Sequence, residues 1–186
     1  MKRLFFAIAV LAATVLAVNS CVDINGQGSQ MSTSFTAISA VLVDNGSIGS
    51  DGASNVELYV SNSELGEHCQ LKDRGTMVML SLNVPAGSEG IPTEQTYTVA
   101  EQGKYLPYTI NLGEQLSNER PGCFVAEKSD NSGSLIPAVL VTDVAVEMNK
   151  DADGKYHISG VCKCYNLIVS FTYDGDLKTP EPVEKI

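Results

Sequence analysis

From Ser34 onward, apolar residues return at every second position and at no longer period. Val56, Leu58 and Val60 alternate with Glu57, Tyr59 and Ser61, and Val78, Leu80, Leu82 and Val84 alternate with Met77, Met79, Ser81 and Asn83. The same beat runs through Val144, Val146 and Met148, and through Leu167, Val169, Phe171 and Tyr173. Successive side chains of a strand point to opposite faces, so this pattern predicts strands buried on one face. No stretch keeps apolar residues at i, i+3, i+4 and i+7 for three turns, which removes helices as the main element. Further strands are expected near 34–43, 95–100, 107–112, 122–127 and 136–142. Asn45-Gly46, Asp51-Gly52, Pro85-Ala86-Gly87, Ser132-Gly133 and Asp153-Gly154 supply turns between them. About eight or nine short strands so punctuated predict an all-β fold, an antiparallel β-sandwich, with a small β-barrel as the alternative.

The last third is the best specified. Val144–Asn149 and Lys155–Val161 flank Lys150–Gly154, a hairpin with a Gly-assisted turn. A second hairpin closes through Cys162–Asn166 and returns along Leu167–Tyr173. The apolar phase is even at Tyr156 and Ile158 but odd from Leu167 to Tyr173, so a turn or a bulge must lie between.

The start of the chain reads differently. Lys2 and Arg3 form a positive head, and Leu4–Val18 is an apolar run too short for a bilayer span of about 20 residues. A basic head, a short apolar centre and small residues at the exit describe a secretory signal peptide. The exit, Val18-Asn19-Ser20-Cys21, is similar to the lipobox of bacterial lipoproteins, in which the Cys becomes the lipid-bearing N-terminus. Val18, Ser20 and Cys21 fit, while Asn19 departs from the usual choice. Ordinary cleavage after Ala17 or Ser20 is the alternative. There are five Cys, and lipidation of Cys21 explains the odd one. The expected organisation is a leader over 1–20, a Gly- and Ser-rich tether over 21–33, a β-domain over 34–177 and a loose tail over 178–186. The lipid would hold the protein at the outer membrane, on its periplasmic side or at the cell surface.

Two motifs resemble a set of lipoproteins of unknown function common in gut Bacteroidota. They are Gly154-Lys155-Tyr156-His157-Ile158-Ser159-Gly160 and Phe171-Thr172-Tyr173-Asp174-Gly175-Asp176-Leu177. Those proteins often end in a Gly-x-Tyr-x-Ile-x-Gly strand, a short turn, and a strand closing in Tyr-x-Gly-x-Leu. Leu82–Pro85, Ile91-Pro92 and Thr96-Tyr97-Thr98, ahead of Pro121-Gly122, are similar to their upstream segment. Where they place a Gly turn in the last hairpin, this chain has Cys162-Lys163-Cys164-Tyr165-Asn166. The resemblance implies a cell-envelope β-domain and brings no activity.

Cys69, Cys123, Cys162 and Cys164 are the cluster with most chemical interest. An exported chain meets an oxidising compartment, so disulfides are expected. Cys162 and Cys164 are too close in sequence to join without strain, which favours bonds from this tip to Cys69 and Cys123. Zinc is the alternative, weakened by the lack of C-x₂-C spacing. Asn149-Lys150-Asp151-Ala152-Asp153-Gly154 matches half of a calcium loop, but Gly160 stands where its closing Glu should be. A Cys69–His68 pair is the sole nucleophile arrangement on offer, and a disulfide at Cys69 would remove it. With no Gly-x-Ser-x-Gly elbow or His-Glu-x-x-His helix either, no catalytic residue, metal ligand or cofactor is assigned, and a hydrolase is the third-ranked reading. Tyr59, Tyr105, Tyr108 and Tyr165 are the candidate ligand contacts, since Tyr stacks on sugars and packs against proteins. The net charge of −10, more acidic once the leader is removed, disfavours nucleic acid. The expected function is a non-enzymatic envelope module that binds a protein partner, with a neutral glycan as the alternative.

Overall fold

The computed structural model describes residues 30–50, 52–112, 122–129 and 135–179. The leader, Cys21, most of the tether, the Ser132-Gly133 turn and the end of the tail lie outside them. The strands are β1 (Met31–Thr36), β2 (Ser39–Ile48), β3 (Ala53–Ser61), β4 (Gly75–Pro85), β5 (Thr98–Val99), β6 (Thr109–Ile110), β7 (Phe124–Lys128), β8 (Leu135–Leu140), β9 (Asp143–Lys150), β10 (Tyr156–Lys163) and β11 (Leu167–Gly175). They form two sheets packed face to face, neither closed into a barrel. The first runs β1-β11-β10-β9. The second runs β2-β3-β4 and then divides, because the first half of β4 pairs with β7, and through it β8, while its second half pairs with β6, and through it β5.

The sandwich is the expected fold, but its sheets are mixed. β1 lies parallel to β11, and β5 parallel to β6. β1 also starts at Met31, inside the segment expected to be tether. The single strand expected over 34–43 is two: Ala37 N–H donates to Thr172 in the first sheet and Ile38 N–H donates to Ser61 in the second. The chain thus changes sheets between adjacent residues.

Alternation builds the core. Val56, Leu58 and Val60 of β3 and Val78, Leu80, Leu82 and Val84 of β4 meet Val144, Val146 and Met148 of β9 and Val169, Phe171 and Tyr173 of β11. The two terminal hairpins form as expected, and the turn after β10 absorbs the phase change between Ile158 and Val169. The outer face of the second sheet departs from the one-sided reading. Residues 62–74 fold back across it, so Leu71, Met77 and Ala126 are buried there with Tyr59, Leu65 and Phe124 against them. Beside this cluster the outer face carries a polar ladder. Asn45 Nδ2 donates to Asn55 (3.0 Å), Asn55 Nδ2 to Ser81 (3.0 Å), and Asn83 Nδ2 to Thr109 and Asn111 (2.9 Å each). Asn55 and Asn83 are buried, and these bonds remove the penalty of burying them.

The Gly154–Gly160 segment is fixed by turn geometry and packing. Gly154 takes φ +87° in the β9–β10 turn. Tyr156 turns inward, its hydroxyl donating to Ile91 O (3.2 Å). Gly160 leaves room for a ring: a Cβ there would sit 2.5 Å from Phe171 Cζ.

Candidate functional site

β9 is an edge of the first sheet. At its hairpin, Asp151 N–H donates to Lys155 O (2.9 Å). Antiparallel ladders bond every second pair, so Asp143, Ala145, Glu147 and Asn149 exchange hydrogen bonds with β10. Val144, Val146 and Met148 therefore turn their N–H and C=O groups away from the sheet. Among the described residues, no backbone group bonds to them on that side. Their side chains point into the core while their backbone faces outward.

A cleft of about 310 Å³ runs along this edge, with Thr93–Tyr97 on one wall and Val146–Asn149 on the other. Tyr97 anchors the first wall: its ring is buried edge-on to Tyr108 (5.6 Å between centroids), and its hydroxyl donates to Pro92 O (3.0 Å). Burial is also what drives the Tyr97 pKa upward, so this hydroxyl stays protonated. Glu94 and Glu147 stand exposed on opposite walls, and among the described residues no Lys or Arg lines the cleft. No sequence signal marked this cleft, because the 93–97 segment reaches β9 only through the fold.

Comparison with family models, curated proteins and solved structures finds no match. The site is read from its chemistry alone.

The candidate tyrosines do not converge on the cleft. Tyr59 lies on the outer face of the second sheet, half-buried under residues 62–74, and its hydroxyl donates to Glu57 (2.6 Å). Tyr105 packs over the β2–β3 turn at Gly49. Tyr108, at φ +62°, supports Tyr97 rather than a ligand. Tyr165 is 94% exposed at the β10–β11 turn.

The four thiols are free and buried. This differs from the expected disulfides, and the topology adds a reason. Cys69 sits beside Glu57 and Tyr59 on the outer face of the second sheet, whereas Cys123, Cys162 and Cys164 belong to the core between the sheets. The second sheet lies between Cys69 and the other three, whereas Cys123 is near enough to Cys162 to add to the rise of its pKa. Burial pushes the Cys69 thiol up to about 11, with Glu57 adding to it, and pushes Cys123 up to about 12. Cys162 and Cys164 are raised by burial as well. Protonated thiols are poor nucleophiles and poor metal ligands. Residues His68 and Cys69 both adopt left-handed backbone, at φ 58° and 55°. Among the described residues no three potential ligands converge to hold a metal. In the calcium-like turn, Asp151 Oδ1 accepts from the N–H groups of Asp153 (2.9 Å) and Lys155 (2.8 Å), the work of an ordinary Asx turn.

His157 is exposed, as its outward phase predicts, but its carboxylate neighbours were not legible. Asp174 Oδ1 lies 2.6 Å from Nδ1, and Asp151 Oδ2 lies 3.4 Å from Nε2. The hydrogen bond that the ring donates to Asp174 is the main cause of a raised His157 pKa, with Asp151 adding to it. A ring held at both nitrogens is a surface clamp between β10, β11 and the hairpin turn.

Proposed function

We propose that the chain is a membrane-anchored lipoprotein of the cell envelope that acts, without catalysis, as a binding or assembly module for a protein partner. The observation that carries this reading is the open β9 edge beside its cleft. Backbone groups of an uncovered edge are satisfied by another extended chain, and proteins supply one. The lipobox-like exit at Cys21 supports the anchor, and the protonated, buried thiols argue against a cysteine hydrolase. A neutral glycan is less well supported, since Tyr59, Tyr105, Tyr108 and Tyr165 build no common platform.

Two measurements test it. In cells fed a fatty-acid probe, the wild-type chain should be labelled and Cys21→Ser should not, with the domain still folded. An unlabelled, freely soluble wild-type chain overturns the anchor. Cross-linking in the intact envelope should trap a protein at the β9 side. A blank cross-link together with saturable binding of a neutral glycan transfers the reading to sugar.

A further inference from the structure

Resting on that reading, we propose that β9 is the docking strand and that its partner is an extended, basic peptide segment that adds to the first sheet beside it. Three observations converge. The first is hydrogen-bonding geometry: Val144, Val146 and Met148 leave donors and acceptors facing away from β10 with the spacing of a strand, Val146 and Met148 at the cleft. The second is position: β1, β8 and β9 are the longer edge strands, and of these β9 borders the cleft, while two further edges are less available. β2 is already met by the C-terminal segment, where Leu42 N–H donates to Lys178 O (2.8 Å) and Lys178 N–H to Ala40 O (3.0 Å). β5, the edge beyond β6, has two residues.

The third is charge. Glu94 and Glu147 flank the cleft, and among the described residues no basic side chain lines it. The neighbouring charges do not cancel them. Asp143 is matched by Lys163 at 2.7 Å, and Lys150 lies over the Tyr156 ring, 5.0 Å from its centroid. In a strand laid along β9, every second side chain falls on the face that carries Glu147, where Lys or Arg is favoured. A second copy of this chain would bring the same two carboxylates to the interface, within a protein of net charge −10. Like charges facing each other disfavour that occupant.

The test uses the full chain in detergent and two labelled peptides of about seven residues, roughly one strand length. One alternates Lys with Thr; the other alternates Glu with Thr. The Lys peptide should bind, losing affinity as salt rises from 50 to 500 mM, and the Glu peptide should not. Methylating alternate backbone nitrogens of the Lys peptide should abolish binding, since it removes ladder donors while keeping charge. The double variant Glu94→Gln, Glu147→Gln should weaken the Lys peptide about 5–10-fold, the scale of two exposed ion pairs. By hydrogen exchange, the Val146 and Met148 amides should exchange fast in the free protein and become protected on peptide addition. Protection of these amides before any peptide is added, equal binding of the Glu peptide, or a concentration-dependent dimer that buries β9 would each overturn the proposal. A cross-linked envelope partner that binds the double variant undiminished and leaves those amides unprotected would also overturn it, while leaving the protein-binding reading standing. An empty cross-link and silent peptides would remove both.

Discussion

Gly160 is the position at which one carbon atom decides most. A Cβ there would lie 2.5 Å from Phe171 Cζ and 2.7 Å from Val146 Cγ2, both within the core. Overpacking of this kind costs about 1–3 kcal/mol, so Gly160→Ala should lower the urea midpoint without changing the slope. An unchanged midpoint would mean the ring has room to move. His157 offers a second test. Its folded pKa is raised, chiefly by Asp174, so protonation favours the folded state. That contribution is fully present below the unfolded value of about 6.5 and is lost as pH climbs through the higher folded value. His157→Gln should flatten the stability profile in that window, and titration of the ring by NMR should locate it. The sequence disclosed the inward phase of Tyr156, Ile158 and Phe171, because period two is local. It did not disclose the Asp151–His157–Asp174 clamp, whose members meet only when β10 and β11 pair in one register.

At the scale of elements, the 62–74 excursion illustrates what alternation cannot convey. Tyr59, Met77 and Met79 occupy the outward phase and read as solvated. All three are withdrawn from solvent, Tyr59 and Met77 because a polar-looking segment carrying Leu65 and Leu71 returns over them. Lys128 fastens that return, its ammonium donating to Leu71 O (3.2 Å) and Lys72 O (2.7 Å). Charged hydrogen bonds contribute about 1.5–3 kcal/mol each at most, and fewer when partly wet. Lys128→Met should therefore speed amide exchange across residues 65–72 while leaving the β9–β11 amides slow. Uniform acceleration would mean that the excursion and the core open as one unit. The β9 cleft was hidden for a related reason: the wall facing β9 comes from a loop far away in sequence, and edge strands look like interior ones to a pattern of period two.

For the molecule as a whole, the pairing of β1 with β11 sets an order of events. Met31 stands beside Leu167, and Thr36 beside Thr172, so the first strand of the domain completes its sheet only against the last. A chain ending after Lys163 should lack native protease resistance, because β1 and β10 would both lose a neighbour. A protected, fully folded product from that truncation would mean β11 is dispensable. Contacts this distant in sequence carry a large loop-closure cost and slow the search for the native state. Synthesis therefore delivers the β1 sequence early and its partner almost last, and in between the sandwich cannot close. Such a delay keeps the chain threadable, so the leader we propose at residues 1–20 would have an extended polymer to pass through a narrow translocation pore rather than a finished domain.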